Sequence, residues 1–258
     1  LDDVLDTGMF TVFAPTDAAI GNALDGLSVD MKTNILLNHV LNDNILSSDL
    51  SNGYVKTNAT ETITGDANNL DLYTSVGDEV KLNGAAVVST PDIKATNGVV
   101  HVTDGVIPMP DITTFVTTDP TFNSLEVALT RDDLETDFID LLSTPNGTGN
   151  APFTVFAPTS LAFTELLDEL GFDNLNDISQ SLLDNTLKSH VVAGDNLRFD
   201  DLPDGTQTTL GADLIITLNL KTATLTDPND RESNFIIDNV QTTNGVIHVI
   251  NTVVLPQQ

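Results

Sequence analysis

The residues best able to do chemistry are four histidines, which occupy two duplicated positions. They are His39 with His190, and His101 with His248. Histidine ligates metal ions and transfers protons near neutral pH. No His-x-x-His pair, Glu-x-x-His pair or cysteine accompanies them, so a metal site would need carboxylates to complete it. The pattern favours buried imidazoles that hydrogen-bond to backbone or to polar neighbours, and it predicts no bound metal.

Two side chains are candidate partners for the histidines of the first duplicated position. Asp17 is expected to pair with His39, and Ser160 stands in the equivalent place beside His190. Such partners would fix the imidazole rings within the fold.

Motifs for covalent or phosphate chemistry do not occur in the chain. It has no Gly-x-Ser-x-Gly elbow and no phosphate-cradling glycine-rich loop. We therefore predict no catalytic residue, no enzymatic activity and no cofactor. Asp227, Asn229 and Asp230 offer oxygen ligands for calcium in one turn. A solvated turn stabilised by Pro228 is the favoured alternative.

The chain is strongly acidic, with 38 Asp and Glu residues against nine Lys and Arg and a net charge of −29. Nucleic-acid binding depends on clustered cations, so the charge excludes that class, and anionic membrane surfaces are disfavoured for the same reason. No apolar run reaches the ~18 residues of a membrane span. The carboxylates are expected to form a solvated, self-repelling surface, with cation bridging between them as the alternative.

The sequence motifs around these histidines occur twice, because the chain is a tandem duplication. The hexapeptide Thr-Val-Phe-Ala-Pro-Thr stands at 11–16 and again at 154–159. Asn-Gly-Val-Val-His-Val at 97–102 returns as Asn-Gly-Val-Ile-His-Val at 244–249. Motifs that recur in one order at nearly one spacing indicate two copies of a single domain.

Each hexapeptide predicts a tight corner. Thr-Val-Phe is typical of a short strand, and Pro15 or Pro158 ends it because proline donates no ladder hydrogen bond. Thr16 or Thr159 then stands at a helix N-cap.

The periodicity of apolar residues and the positions of Gly, Pro and Asn predict the remaining elements. Helices are expected over 17–24, 29–41, 122–129, 134–142, 160–171 and 178–191. Strands are expected over 79–82 and 85–88, joined by an Asn-Gly hairpin, and over 98–103, 106–107, 208–210, 214–220, 222–226, 234–237, 245–250 and 253–255.

Two domains are predicted, 1–110 and 111–258, with 111–119 as a short linker. Residues 111–153 precede the second hexapeptide, whereas only 1–10 precede the first. The first repeat is therefore expected to lack its N-terminal helices, with 1–5 as the end of one, and a targeting signal is expected upstream.

The motifs together resemble the fasciclin (FAS1) family, in tandem. The motif positions are Thr11, Pro15, Thr16, Asp17, His39, Asn97, Gly98 and His101 in the first repeat, and Thr154, Pro158, Thr159, His190, Asn244, Gly245 and His248 in the second. The family's middle motif is a Tyr-His pair, whose tyrosine is replaced here by Asn38 and Ser189. The resemblance implies an α+β fold, with each domain a wedge-like sandwich of two β-sheets with packed helices.

The resemblance also implies a secreted or cell-surface adhesion module that binds matrix proteins, glycans or other surfaces and is not an enzyme. Further repeats in a longer parent protein fit the same pattern. In some animal members an Asp-Ile pair before the last motif is tied to integrin binding, which makes Asp92 and Ile93 the candidate binding residues. The second repeat has Asp238-Asn239-Val240 there and lacks the pair.

Two questions stay open at this point. Ile93 lies in a predicted loop, either as a core plug, which the sequence slightly favours, or as an apolar contact for a partner. The competing function is small-molecule or glycan binding in a pocket between sheet and helices or at the domain junction.

Overall fold

A computed structural model describes residues 5–210, 215–219 and 222–257 of the chain. The chain divides into two compact units, Leu1–Pro110 and Asp111–Gln258, here called domain one and domain two. The predicted helix end at 1–5 lies, apart from Leu5, outside the described residues. Leu214 and Leu220 of one predicted strand also lie outside them.

Domain one contains two helices and seven strands among its described residues. The helices are α1 (Asp17–Ile20) and α2 (Val29–Leu37). The strands are β1 (Phe10–Pro15), β2 (Val40–Leu41), β3 (Gly53–Thr60), β4 (Asn69–Val76), β5 (Val80–Leu82), β6 (Ala86–Ala95) and β7 (Gly98–Thr103).

Domain two repeats this order behind an extra helical segment. Its helices are α3 (Ile112–Thr118), α4 (Asn123–Leu129), α5 (Phe138–Leu142), α6 (Ser160–Leu170) and α7 (Gln180–Ser189). Its strands are β8 (Phe153–Pro158), β9 (Val191–Ala193), β10 (Gly205–Thr208), β11 (Ile215–Asn219), β12 (Thr224–Thr226), β13 (Glu232–Gln241) and β14 (Gly245–Ile250).

The two domains share one strand topology, and the fold is α+β. Domain one has the hydrogen-bonded order β2-β1-β7-β6-β5-β4-β3, and domain two has β10-β11-β12-β13-β14-β8-β9. The long strand β6 takes part in two ladders, since its first residues pair with β5 and the rest pair with β7. Apolar side chains fill the core of each domain, around Phe13 in the first and Phe156 in the second.

A parallel pair lies at the centre of each domain and explains the glycine of the last motif. β1 runs parallel to β7, with Phe10 opposite Gly98, and β8 runs parallel to β14, with Phe153 opposite Gly245. A Cβ added at Gly98 would lie 1.9 Å from the Phe10 carbonyl oxygen, and one at Gly245 would lie 2.1 Å from that of Phe153. Only glycine permits this approach of the two backbones.

The predicted corners are confirmed in both copies. The Thr16 hydroxyl accepts a hydrogen bond from the Ala19 N–H, and the Thr159 hydroxyl accepts one from the Ala162 N–H, each at 3.2 Å. The predicted Asn-Gly hairpin is also confirmed, with Leu82 opposite Ala86.

Several predicted boundaries are wrong. The stretch 111–119 is a helix rather than a linker, because Asp111 forms a capping box and Ile112, Phe115 and Val116 bury one face. Helix α2 ends at Leu37, so that Val40–Leu41 can pair with β1. The predicted strands at 106–107 and 253–255 are irregular segments.

Three further helices and strands differ from prediction. Helix α1 stops at Ile20, because Gly21 follows it with a φ of +40°, outside the helical range. Helix α5 begins at Phe138 instead of 134, where Asp137 caps it. Strand β6 continues beyond Val88 to Ala95 and includes the predicted loop at 91–93.

Candidate functional site

The candidate binding pair of domain one lies on a β-bulge in strand β6. The register between β6 and β7 shifts between Thr90 and Ile93. Asp92 occupies the bulge with φ of +62°, a left-handed conformation that is uncommon for a residue other than glycine. Its backbone N–H donates a 3.2 Å hydrogen bond to His101 Nδ1. The bulge thus has a dedicated acceptor in the neighbouring strand.

His101 is fully buried and links the bulge to a distant loop. Because Nδ1 accepts the Asp92 N–H, the ring proton lies on Nε2, which donates to the Ile45 carbonyl at 2.9 Å. The imidazole also stacks on Phe13, with 5.5 Å between ring centroids. Both ring nitrogens are therefore used within the protein, which leaves neither for a metal.

Two other side chains hold the same loop, residues 43–47. The Thr11 hydroxyl donates to the Asp43 carbonyl and accepts the Ile45 N–H, both at 2.8 Å. The Ser47 N–H and hydroxyl donate to the two carboxylate oxygens of Asp92, at 2.8 and 2.6 Å. These hydrogen bonds from Ser47 lower the pKa of Asp92. The Asp92 carboxylate therefore orients the bulge.

Ile93 follows the bulge and is 45% exposed. The slight preference of the sequence for a core plug is therefore wrong at this position. The bulge explains the difference, because an extra residue in one strand re-aims the side chains that follow it. Ile93 is thus an exposed aliphatic side chain next to a hydrogen-bonded backbone.

Domain two contains the same network with a different surface. The Asn239 N–H donates to His248 Nδ1 at 3.4 Å, and His248 Nε2 donates to the Leu197 carbonyl at 2.9 Å. The side-chain oxygen of Asn239 accepts the Phe199 N–H at 2.7 Å, as the Asp92 carboxylate accepts that of Ser47. Val240, the counterpart of Ile93, is only 2% exposed. The bulge is common to both domains, whereas the apolar side chain that follows it is exposed in domain one and buried in domain two.

The other two histidines fasten the segment that follows the last strand of each domain. The His39 Nδ1–H donates to the Ile35 carbonyl, and Nε2 accepts the Ile107 N–H at 2.9 Å. The His190 Nδ1–H donates to the Thr186 carbonyl, and Nε2 accepts the Val254 N–H at 3.1 Å. All four histidines are at most 3% exposed, so the predicted burial and hydrogen bonding are confirmed.

The predicted partners of these histidines are wrong. Backbone groups from the helix end and from the final segment bond both nitrogens of His39, so Asp17 is not its partner. Ser160 instead accepts the Ser124 N–H and donates to the Thr121 carbonyl.

Burial lowers the pKa of three of these imidazoles. Desolvation is the main cause in each case, and it brings His190 and His248 to a pKa of about 4. His39 shifts in the same direction for the same reason. All three are therefore neutral at physiological pH.

In the turn that contains the candidate calcium ligands, backbone N–H groups of the protein bond to the carboxylate of Asp227. Asp227 Oδ1 accepts the N–H groups of Asn229 and Arg231, and Oδ2 accepts the Leu255 N–H at 2.8 Å. Asp227 is 3% exposed. The carboxylate serves the fold by tying the turn to the end of domain two. Across the described part of the chain, no group of three His, Asp or Glu side chains is placed to hold a metal ion.

The asparagines of the last motif tie strands to the segments before the hexapeptide. Asn244 Oδ1 accepts the Ile112 N–H, and its Nδ2 donates to the Leu142 and Thr144 carbonyls. Asn97 Nδ2 donates to the Leu5 carbonyl at 2.8 Å. In both domains, the asparagine of the last motif thus connects its strand to the preceding segment by side-chain hydrogen bonds.

The clefts found among the described residues are open to solvent. One of about 410 Å³ is lined by short loops and helix ends over 129–139, where Arg131 is bonded to Asp133 and to backbone carbonyls. An apolar cleft of about 280 Å³ lies beside Phe10 and Gly98 in domain one. The first cleft is lined mainly by polar and charged side chains and the second mainly by apolar ones, and both are open to solvent, whereas a small-ligand site usually encloses its ligand. No described helix is long and apolar enough to cross a membrane.

Ser47 belongs to the hydrogen-bond network around Asp92, and the sequence does not predict its role there. It lies in an irregular segment outside the motifs. A lone serine 45 positions from Asp92 carries no local signal for this contact. Thr11, His101 and Asp92 were identified from the repeats and the resemblance.

Known proteins resemble the chain over its whole length. A family model described as the fasciclin domain matches residues 1–110 and again 112–256. Periostin of Homo sapiens is 29% identical over 276 residues, which cover 99% of this chain and 29% of periostin. Transforming growth factor-beta-induced protein ig-h3 of Sus scrofa is 29% identical, over 96% of this chain and 35% of its own length. The chain therefore spans about a third of these two relatives.

Two further comparisons cover nearly the whole length of the matched protein. An uncharacterized protein of Synechocystis sp. is 32% identical over 57% of this chain and 98% of its own length. Among solved structures, a FAS1 domain pair from the insect cell adhesion molecule fasciclin I matches with a TM-score of 0.57 and 20% identity, covering 98% of this chain and 91% of that one. At this identity the likeness supports the fold alone.

Proposed function

Because the chain belongs to the fasciclin domain family, we propose that it is an extracellular or cell-surface adhesion module. Its partner is a protein or glycan of a cell surface or matrix. In this role it binds and does not catalyse. Support comes from the domain pair itself and from the family it shares with a protein described as a cell adhesion molecule.

One observation carries the proposal at the residue level, namely the exposure of Ile93 beside a buried network. A partner gains free energy by covering an aliphatic side chain. The surrounding backbone is already ordered by His101 and Ser47, so binding does not have to order it. We assign Ile93 as the contact residue and Asp92 as the residue that positions it.

The alternative, a pocket for a small molecule or glycan, has less support. It requires an enclosed cavity of roughly 300–1,000 Å³ with convergent polar groups. The clefts described in the two domains are open to solvent, and the cations that line them are already paired, Arg131 with Asp133 and Lys56 with Asp71. Adhesion through an exposed contact remains the better account.

The experiment is attachment of cultured cells, and of decellularised matrix, to surfaces coated with the chain. We expect Ile93→Ser to reduce attachment several-fold while the melting temperature stays unchanged. Val29→Ser is the matched control, because Val29 is 78% exposed at the start of helix α2 in the same domain. Equal attachment by the two variants would overturn the assignment of Ile93, and no attachment by the unaltered chain would overturn the function.

A further inference from the structure

Domain two exposes two adjacent isoleucines on strand β13. Ile236 is 53% exposed and Ile237 is 41% exposed. Neighbouring residues of a regular strand point to opposite faces, so two exposed neighbours are unusual in a sheet that packs on a core. The register between β13 and β14 shifts between Phe235 and Ile237. This irregularity leaves both β-branched side chains accessible.

The fold does not require isoleucine at these positions. The bulge residue lies nine positions before its histidine in both domains, Asp92 before His101 and Asn239 before His248. By this correspondence, Ile236-Ile237 occupy the places of Ser89-Thr90 in domain one. Those two residues are polar and exposed on an equivalent bulged strand. The same backbone therefore accepts a hydroxyl-bearing pair.

The strand that carries the isoleucines is acidic. From Glu232 to Asp238 the strand carries two exposed carboxylates and no cation. Arg231, just before it, is committed to Glu169 and to the Val253 carbonyl. The chain as a whole has a net charge of −29. A second copy of this chain, or an anionic membrane, would be repelled from such a surface.

We propose that Ile236 and Ile237 form a docking surface for a basic segment of a protein partner. Its apolar side chains would cover the two isoleucines, and its Lys or Arg side chains would face Glu232 and Asp238. Opposite charge fixes the class of partner and speeds its encounter, while the apolar contact provides affinity. This surface lies in domain two and is separate from the adhesion contact at Ile93.

The test uses two fluorescent peptides of equal charge at 0.15 M NaCl, with the sequences Lys-Leu-Lys-Leu-Lys-Leu-Lys and Lys-Ser-Lys-Ser-Lys-Ser-Lys. The unaltered chain should prefer the leucine peptide, by about tenfold, in fluorescence anisotropy. The double variant Ile236→Ser with Ile237→Thr, which copies domain one, should bind both peptides alike and melt at the same temperature. An unchanged preference in this variant would overturn the proposal.

A second variant tests the charge of the surface and leaves the isoleucines in place. Glu232→Gln with Asp238→Asn should weaken the binding of both peptides several-fold while the preference for the leucine peptide is retained. Unchanged affinity for both peptides would contradict the assignment of a basic partner. Self-association in sedimentation, or binding to phosphatidylcholine vesicles lost in the Ile236→Ser and Ile237→Thr variant, would assign the surface to a second copy or a membrane and overturn the proposal.

Discussion

Asp92 illustrates how a residue next to a proposed contact can act without touching a partner. Both carboxylate oxygens accept hydrogen bonds from Ser47, and the backbone N–H is bonded to His101. A partner that used this carboxylate would have to displace Ser47 first. These contacts fit our proposal that Asp92 orients the bulge and that Ile93 makes the contact.

Two substitutions of Asp92 should distinguish the role of its hydrogen-bond acceptors from the role of its negative charge. Asp92→Ala removes both acceptors of Ser47, so the midpoint of urea unfolding should fall. Asp92→Asn should retain most of the stability, because Asn239 fills the same place in domain two and accepts the Phe199 N–H. Urea unfolding followed by circular dichroism measures both. If alanine and asparagine behaved alike, the proposed role of the side-chain acceptor would be wrong.

The buried histidines predict how stability depends on pH. The folded pKa of His190 and of His248 is about 4, below the ordinary value of 6.5. Between these values the unfolded chain binds protons that the folded chain does not, so the free energy of unfolding should fall as pH drops from about 6.5 to 4. Each histidine contributes on the order of 2–3 kcal/mol to this loss.

Urea unfolding at constant ionic strength between pH 7.5 and 4.0 checks this pH dependence. The lowered carboxyl pKa of Asp184 acts only below about pH 4, where its stabilisation is lost. A stability that stayed flat down to pH 4.5 would show that the imidazoles are accessible to protons in the folded state.

Among the secondary-structure elements, the central parallel strand pair of each domain restricts the sequence most, because it requires a glycine. Gly98→Ala or Gly245→Ala would force a Cβ to within about 2 Å of a carbonyl oxygen. We expect a loss of more than about 4 kcal/mol, or failure to fold. Gly77→Ala is the matched control, since a Cβ there meets nothing within 4 Å. Urea unfolding of the three variants measures the difference, and equal stability would contradict the observed pairing.

The sequence predicts elements whose signals are local. Asn83-Gly84 predicts its hairpin, and Thr16 and Thr159 predict their caps, because the residues that decide each structure are adjacent. The parallel pairing of β1 with β7 joins residues nearly 90 positions apart, as Phe10 and Gly98 show. Nothing local marks such a contact, so the sequence alone could not predict it.

Two errors show where a local pattern competes with tertiary structure. Pro91-Asp92-Ile93 is typical of a loop, but β7 holds this segment as a bulged strand. Residues 111–119 are few enough for a linker between two domains, although Ile112, Phe115 and Val116 have helical spacing. The length of the segment favours a linker, whereas the spacing of its apolar residues indicates the helix that the structure contains.

At the scale of the whole molecule, the charge of −29 governs stability in salt. Repulsion between exposed carboxylates extends ~30 Å at 0.01 M ionic strength and ~8 Å at 0.15 M. The melting temperature should therefore rise with added NaCl, as measured by differential scanning calorimetry. Millimolar calcium at matched ionic strength should have no larger effect. A much larger effect would reveal a specific calcium site among the carboxylates.

We propose that this pair of fasciclin domains binds a cell-surface or matrix partner through Ile93. The most direct measurement is displacement of the fluorescent chain from cultured cells by unlabelled competitors. We predict saturable binding that the unlabelled chain and the Val29→Ser variant displace equally, whereas Ile93→Ser requires a concentration about tenfold higher. Binding that never saturates, or equal displacement by all three competitors, would contradict the account.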